Sequence, residues 1–120
     1  VSGEYCPGAH SVNAGGERKL MGVGQRLVAG GAHIGGVVVV DGAARVRDIL
    51  LPVYAALGLD WRPDATGSVD EEAPGASWNR VAEAILQEYA ARYELEAGAL
   101  DDETLAMARK LAPTHLSPGS

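Results

Sequence analysis

The sequence predicts an α+β fold, with a mainly antiparallel sheet in its first third and packed helices after it. Three observations lead there. Residues 18–28 alternate with the period of two that a strand imposes. Residues 30–40 turn at Gly30-Gly31 and come back as a β-branched run, the pattern of a hairpin. Beyond residue 42 the apolar positions switch to the spacing of one helical stripe.

Residues 1–16 are rich in Gly, Pro, Ser and Asn and read as an irregular loop with a short extended piece near Ser11-Val12-Asn13. The turn signal Asn13-Ala14-Gly15-Gly16 lets that piece pair with the start of the next strand, near Arg18 and Lys19. In that strand, Lys19, Met21, Val23, Gln25 and Leu27 are expected on one face, with Leu20, Gly22, Gly24, Arg26 and Val28 on the other. Glycines at i and i+2 strip one face of side chains, which marks the close approach of a ligand or another backbone. The plainer alternative is a core strand with a solvated lysine at its end. The valine run at residues 37–40 implies burial on both faces, in the middle of a sheet with more strands than the chain obviously supplies.

Asp41 is a candidate cap for a helix in which Val46, Ile49, Leu50, Val53, Tyr54 and Leu57 form one apolar stripe. Pro52 is expected to kink or split it, and Gly58 to end it. Leu59-Asp60-Trp61-Arg62 reads as a short extended return. Residues 63–76, with their prolines, glycines and the acidic run Asp70-Glu71-Glu72, have the composition of a linker. From Ser77 a helix runs to about Tyr93 with Trp78, Val81, Ala82, Ile85 and Tyr89 on one face. The last helix starts at Asp101, where Leu100 and Leu105 suit a hydrophobic staple and Asp102-Glu103 suit the positive end of the helix dipole. It ends before Pro113, and residues 114–120 read as a frayed tail. The organisation expected is therefore 1–62, a linker at 63–76, and a helical segment at 77–120.

Composition narrows the function. The chain has 120 residues and a formal charge of −6, with no basic cluster larger than Arg18-Lys19, so binding to a nucleic-acid backbone is not expected. Phenylalanine is absent, and the core must rest on Val, Leu, Ile and Ala. A single cysteine rules out an internal disulfide and points to a reducing compartment. No apolar run approaches the roughly 20 residues of a membrane span, and no signal peptide is visible, so the expectation is cytoplasmic. The start on Val1 reads as a truncation.

Two residues are candidates for chemistry. Cys6 lies in the loop Gly3-Glu4-Tyr5-Cys6-Pro7-Gly8, where a thiol can be exposed and activated, against the alternative of an inert buried thiol. Cys6 and His10 make at most half of a metal site, with only His33 and His115 as further imidazoles and no Cys-x-x-Cys pair, so no metal is expected. Lys19 can hold a point charge in an apolar pocket, where it stabilises a carbonyl or phosphate oxygen far better than in water. Gln25 lies about 20 Å further along the strand at ~3.3 Å per residue, so the two cannot serve one atom.

Lys19-Leu20-Met21-Gly22-Val23-Gly24-Gln25-Arg26, with the glycine return and valine strand after it, resembles the K-x-x-G-x-x-Q-R region of the biotin/lipoyl protein ligase superfamily, which contains lipoate-protein ligases and octanoyltransferases. The resemblance covers Cys6 to about Leu57. It implies a partial ligase-like fold, mainly antiparallel sheet with packed helices, of which residues 1–62 are the C-terminal part of the catalytic domain and residues 77–120 a helical extension. It also implies that Lys19 contacts the acyl carbonyl and, in ligases, the adenylate phosphate. The candidate substrate-binding positions are Ser11, Gly22, Gly24 and Gly36. Cys6-Pro7-Gly8-Ala9-His10-Ser11 fits the C-x-x-A-x-S segment of one octanoyltransferase branch, whose cysteine carries the acyl chain as a thioester. The family's Arg-Arg-x-x-Gly-Gly segment is absent, and its His-Gly is only approximated by His33-Ile34-Gly35-Gly36.

The first function implied is a lipoate-protein ligase, with ATP and lipoate as substrates, Mg expected, and a lipoyl-acceptor domain of a 2-oxoacid dehydrogenase complex or glycine cleavage protein as partner. The second is an ATP-independent octanoyltransferase using Cys6. A third, from another class, is a non-catalytic half-domain that binds a lipoyl domain or its own missing N-terminal half.

Overall fold

A computed structural model describes residues 1–115. Among these residues the fold is α+β, with a three-stranded antiparallel sheet in the order β1 (Val12–Ala14), β2 (Arg18–Val28), β3 (Gly31–Val38), then four helices: α1 (Ala43–Leu57), α2 (Val69–Glu72), α3 (Trp78–Ala90) and α4 (Asp102–Leu111). Short 3-10 turns lie at Pro63–Ala65 and Ala112–His115. The chain divides into two compact units, Val1–Leu86 and Gln87–Ser120, with the division inside α3 rather than at the expected linker. Among the described residues no helix is long and apolar enough to cross a membrane.

Both hairpins form where the turn residues predict them. The β1–β2 turn uses Gly15 and Gly16 at φ 58° and 77°, and the Asn13 side chain accepts the Gly16 N–H at 2.8 Å, the local bond that makes asparagine a turn former. The β2–β3 turn lies one residue earlier than expected: Val28 already pairs with Gly31, so the loop is Ala29-Gly30, with Gly30 at φ 82°.

The alternation in β2 is broken near its start. Val12 pairs with Met21 and Asn13 with Lys19, so Leu20 has no partner on β1 and the strand carries a bulge. One extra residue resets which face the side chains take. The stem of Lys19 lies against Gly22, where an added Cβ would meet Lys19 Cε at 3.5 Å. The valine strand is also corrected, because β3 is the edge of the sheet and Val37 is 72% exposed.

The largest departure concerns residues 63–76, which are not a linker. Residues 66–70 thread between the diverging ends of β2 and β3: the Gly67 N–H donates to the Lys19 carbonyl at 3.0 Å, the Val69 N–H to Val39 at 2.9 Å and the Asp70 N–H to Val40 at 2.9 Å. Ala65, Thr66 and Ser68 are consequently fully buried. A Cβ at Gly67 would lie 3.0 Å from Arg18 Cβ and 3.1 Å from Leu20 Cδ2, so a small residue is required where the segment crosses β2. Arg47 of α1 ties it down, donating to the Thr66 carbonyl at 2.6 Å and to Glu71 at 2.9 Å.

Helix α1 is continuous through Pro52 and packs through Ala43, Val46, Arg47, Leu50 and Tyr54. Ile49, Val53 and Leu57 of the expected stripe are exposed. Asp41 does not cap it; Gly42 occupies the N-cap at φ 72° with no side-chain bond. Gly58 ends it at φ 62°, with the Leu59 N–H returning to the Tyr54 carbonyl at 3.1 Å. Residues 59–62 form no strand, although the Arg62 N–H bonds the Gly3 carbonyl at 2.9 Å.

Helix α3 starts after Ser77, whose hydroxyl accepts the Arg80 N–H, and places Val81, Ala82 and Ile85 around a small apolar hollow with Val38 and Val40. In the second unit, Asp101 caps α4 by accepting the Thr104 N–H at 2.7 Å, as expected. That bond holds the Asp101 carboxyl below its ordinary range. The chain continues past Leu111 through Pro113 as a 3-10 turn; of the expected frayed tail, residues 116–120 lie outside the described residues.

Candidate active site

Loop 4–11, the bulged start of β2 and Val37 of β3 line one cleft. Its volume is about 380 Å³, and Tyr5, Cys6, Ser11, Lys19, Gly22 and Val37 are among the residues that line it. Four of the six residues singled out from the sequence thus meet. Gly24 and Gly36 do not line the cleft: nothing lies within 4 Å of a Cβ at Gly24, and Gly36 sits beneath the Met21 side chain. A larger cleft of about 630 Å³ lies between Arg18, Trp61 and Arg62, but it offers no thiol, hydroxyl or amine, and Arg18 is paired with Glu72.

Lys19 is 2% exposed. Its ammonium donates to the carbonyl oxygens of Tyr5 at 2.9 Å and Cys6 at 2.8 Å, and to Glu4 Oε1 at 3.3 Å, and it lies 4.7 Å from the centre of the Tyr5 ring. An ammonium has three N–H donors, and all three have protein acceptors. The burial is therefore compensated in full, and the charge sits against the backbone of the cysteine loop.

Glu4 is the partner that sequence reading missed. Its side chain is buried, Oε1 accepts from the Gly8 N–H at 2.9 Å, from the Ser11 hydroxyl and from Lys19, and Oε2 accepts from the Val1 nitrogen at 3.0 Å. Burial alone would raise its pKa, but the bonds from Ser11, Val1, Gly8 and Lys19 together outweigh it and hold the carboxyl at about 2. A signal for it was present: Glu4 is the only carboxylate or strong cation in the first sixteen residues. Desolvation, with electrostatic repulsion from the side chains around it, Glu4 among them, pushes the Tyr5 hydroxyl up.

Cys6 is exposed and free, with φ 41°. Its N–H donates to Tyr54 Oη at 2.8 Å, a role that the place of Tyr54 in an apolar stripe does not reveal. Tyr54 is itself stacked obliquely on Trp61 at 5.1 Å.

Among the described residues no group of three His, Cys, Asp or Glu side chains is placed to hold a metal ion. At the cleft the carboxylate touching Lys19 is Glu4, and its oxygens are already committed to Ser11, Gly8, Val1 and Lys19. This donor set does not fit the Mg that the ligase resemblance implies. No family model, curated protein or solved structure matches the chain.

Proposed function

We propose that the chain carries the acyl-transfer site of an enzyme of the lipoate-protein ligase and octanoyltransferase group, moving an octanoyl or lipoyl group to a lysine of an acceptor protein with Cys6 as the acyl carrier. The observation that supports it is the meeting of an exposed thiol and a buried ammonium at one cleft, from positions 13 apart in sequence. The Cys6 thiolate attacks the carbonyl carbon of an acyl thioester donor; a C–S bond to Cys6 forms, the donor's C–S bond breaks, and the donor leaves as a thiol after taking up a proton. The acceptor amine then attacks the Cys6 thioester, forms the amide C–N bond, loses a proton and releases the thiol. The positive charge of Lys19 favours the oxyanion of each tetrahedral intermediate.

The thiol route is preferred over the adenylate route because the cysteine is presented on the cleft, while the carboxylate beside Lys19 is unavailable to a metal. The ligase reading keeps the placement of Lys19 in its favour. Incubation with an octanoyl thioester followed by intact-mass measurement separates them. The expected result is one hydroxylamine-labile octanoyl group, lost in Cys6→Ala. An unmodified wild-type chain, together with ATP-dependent acylation of a lipoyl acceptor that survives Cys6→Ala, would overturn the thiol route in favour of the ligase.

A further inference from the structure

We propose that Glu4, Lys19 and Tyr54 act together as positioning residues that hold Cys6 in a left-handed backbone conformation and so present its thiol to the cleft. The inference deepens the acyl-transfer reading and rests on it for its kinetic test.

Among the described residues Cys6 is the one non-glycine with positive φ. Such a conformation is unfavourable for any residue with a Cβ, and persists only where the surroundings over-determine it. Here they do, on both sides of the Cα. The peptide before Cys6 is held twice, by its N–H on Tyr54 Oη at 2.8 Å and by the Tyr5 carbonyl on Lys19 at 2.9 Å. The peptide after it is held by the Cys6 carbonyl on Lys19 at 2.8 Å. The two clamps come from different elements, Tyr54 from α1 and Lys19 from β2.

Glu4 completes the arrangement from within the loop. It bonds Lys19, and through Gly8 and Ser11 it also ties the far end of the cysteine loop to the same carboxylate. Glu4 and Lys19 are buried, whereas Cys6 is exposed. Three side chains are thus spent on fixing the backbone of one residue whose side chain is left free, the arrangement expected when the position of a reacting atom matters.

The test compares two reactions of the same thiol in Tyr54→Phe and Glu4→Gln: acylation by an octanoyl thioester, which needs the cleft geometry, and alkylation by iodoacetamide, which needs only an accessible thiol. Loss of one clamping bond is expected to slow acylation about tenfold while alkylation stays within about twofold. Tyr54→Phe is the gentler variant and decides the matter if Glu4→Gln does not fold. An unchanged ratio of the two rates overturns the proposal, as does a parallel fall of both rates with the melting temperature, which a merely structural role produces.

A second measurement is independent of acylation. Cys6→Gly is expected to melt no lower than Cys6→Ala, because glycine takes the left-handed conformation freely. A glycine variant that melts several degrees lower, as at an ordinary position, overturns the clamp. Should the wild-type chain accept no acyl group, the acyl-transfer reading fails, and the clamp stands or falls on this comparison alone.

Discussion

Lys19 and Glu4 show how a buried charge can be tolerated in a small domain. Each has its hydrogen-bonding capacity met by the other and by the loop between them, so the pair is stable together and costly to break. Lys19→Met removes the cation but leaves Glu4 buried and two carbonyls without a donor; the expected loss is about 3 kcal/mol in a urea titration. The pH dependence has a definite sign. The folded carboxyl titrates at about 2 against an ordinary 4.5, so its stabilisation is full above about 4.5 and lost as the pH falls toward 2. Acid unfolding followed by circular dichroism should show a steeper limb in that window for the wild type than for Glu4→Gln. At this scale the sequence revealed the two chemical groups but not their relation. Cys6 and Lys19 stood out by residue type, whereas the bulge at Leu20 leaves no mark in an alternating pattern.

Among the elements, α1 does most to join the fold to the cleft, because the same face carries Arg47 to the buried segment and Tyr54 to the cysteine loop. Pro52 does not split it. Proline deprives the Asp48 carbonyl of its helical partner, but both residues are exposed, where solvent can satisfy that oxygen. The end of α1 depends on Gly58 at φ 62°, and nothing lies within 4 Å of a Cβ placed there. Gly58→Ala should therefore cost only the conformational penalty, about 1–2 kcal/mol by thermal denaturation, with no packing defect. Hairpins, helices and their glycine stops were legible because each is written in a few adjacent residues. Residues 63–76 were not, because proline, glycine and acidic residues describe a solvated linker and a tightly inserted crossing segment equally well. What distinguishes them is Gly67 against Arg18 and Leu20, a contact between positions far apart in the chain.

For the molecule as a whole, the deepest positions are occupied by Ala43, Ala65, Thr66, Ser68, Glu4 and Lys19, while many larger apolar side chains face outward. The imbalance is sharpest on the β2–β3 hairpin, where Leu27 and Ile34 are each 70% exposed. β3 is also an edge strand whose residues include no Lys, Arg, Asp, Glu or Pro, the features that usually prevent one edge from pairing with another. A strand with free N–H and C=O groups and an apolar surface has two reasons to find a partner, and a second copy of the chain is always at hand. Sedimentation velocity should accordingly detect self-association that grows with protein concentration. Ile34→Lys places a charge opposite Gln25 in the middle of the hairpin and should shift the population to monomer, leaving the melting temperature of the monomer nearly unchanged because Ile34 buries little. A wild-type chain that stays monomeric to the highest concentrations would show that the exposed hairpin does not recruit its own kind, and would leave the edge of β3 free for a different polypeptide.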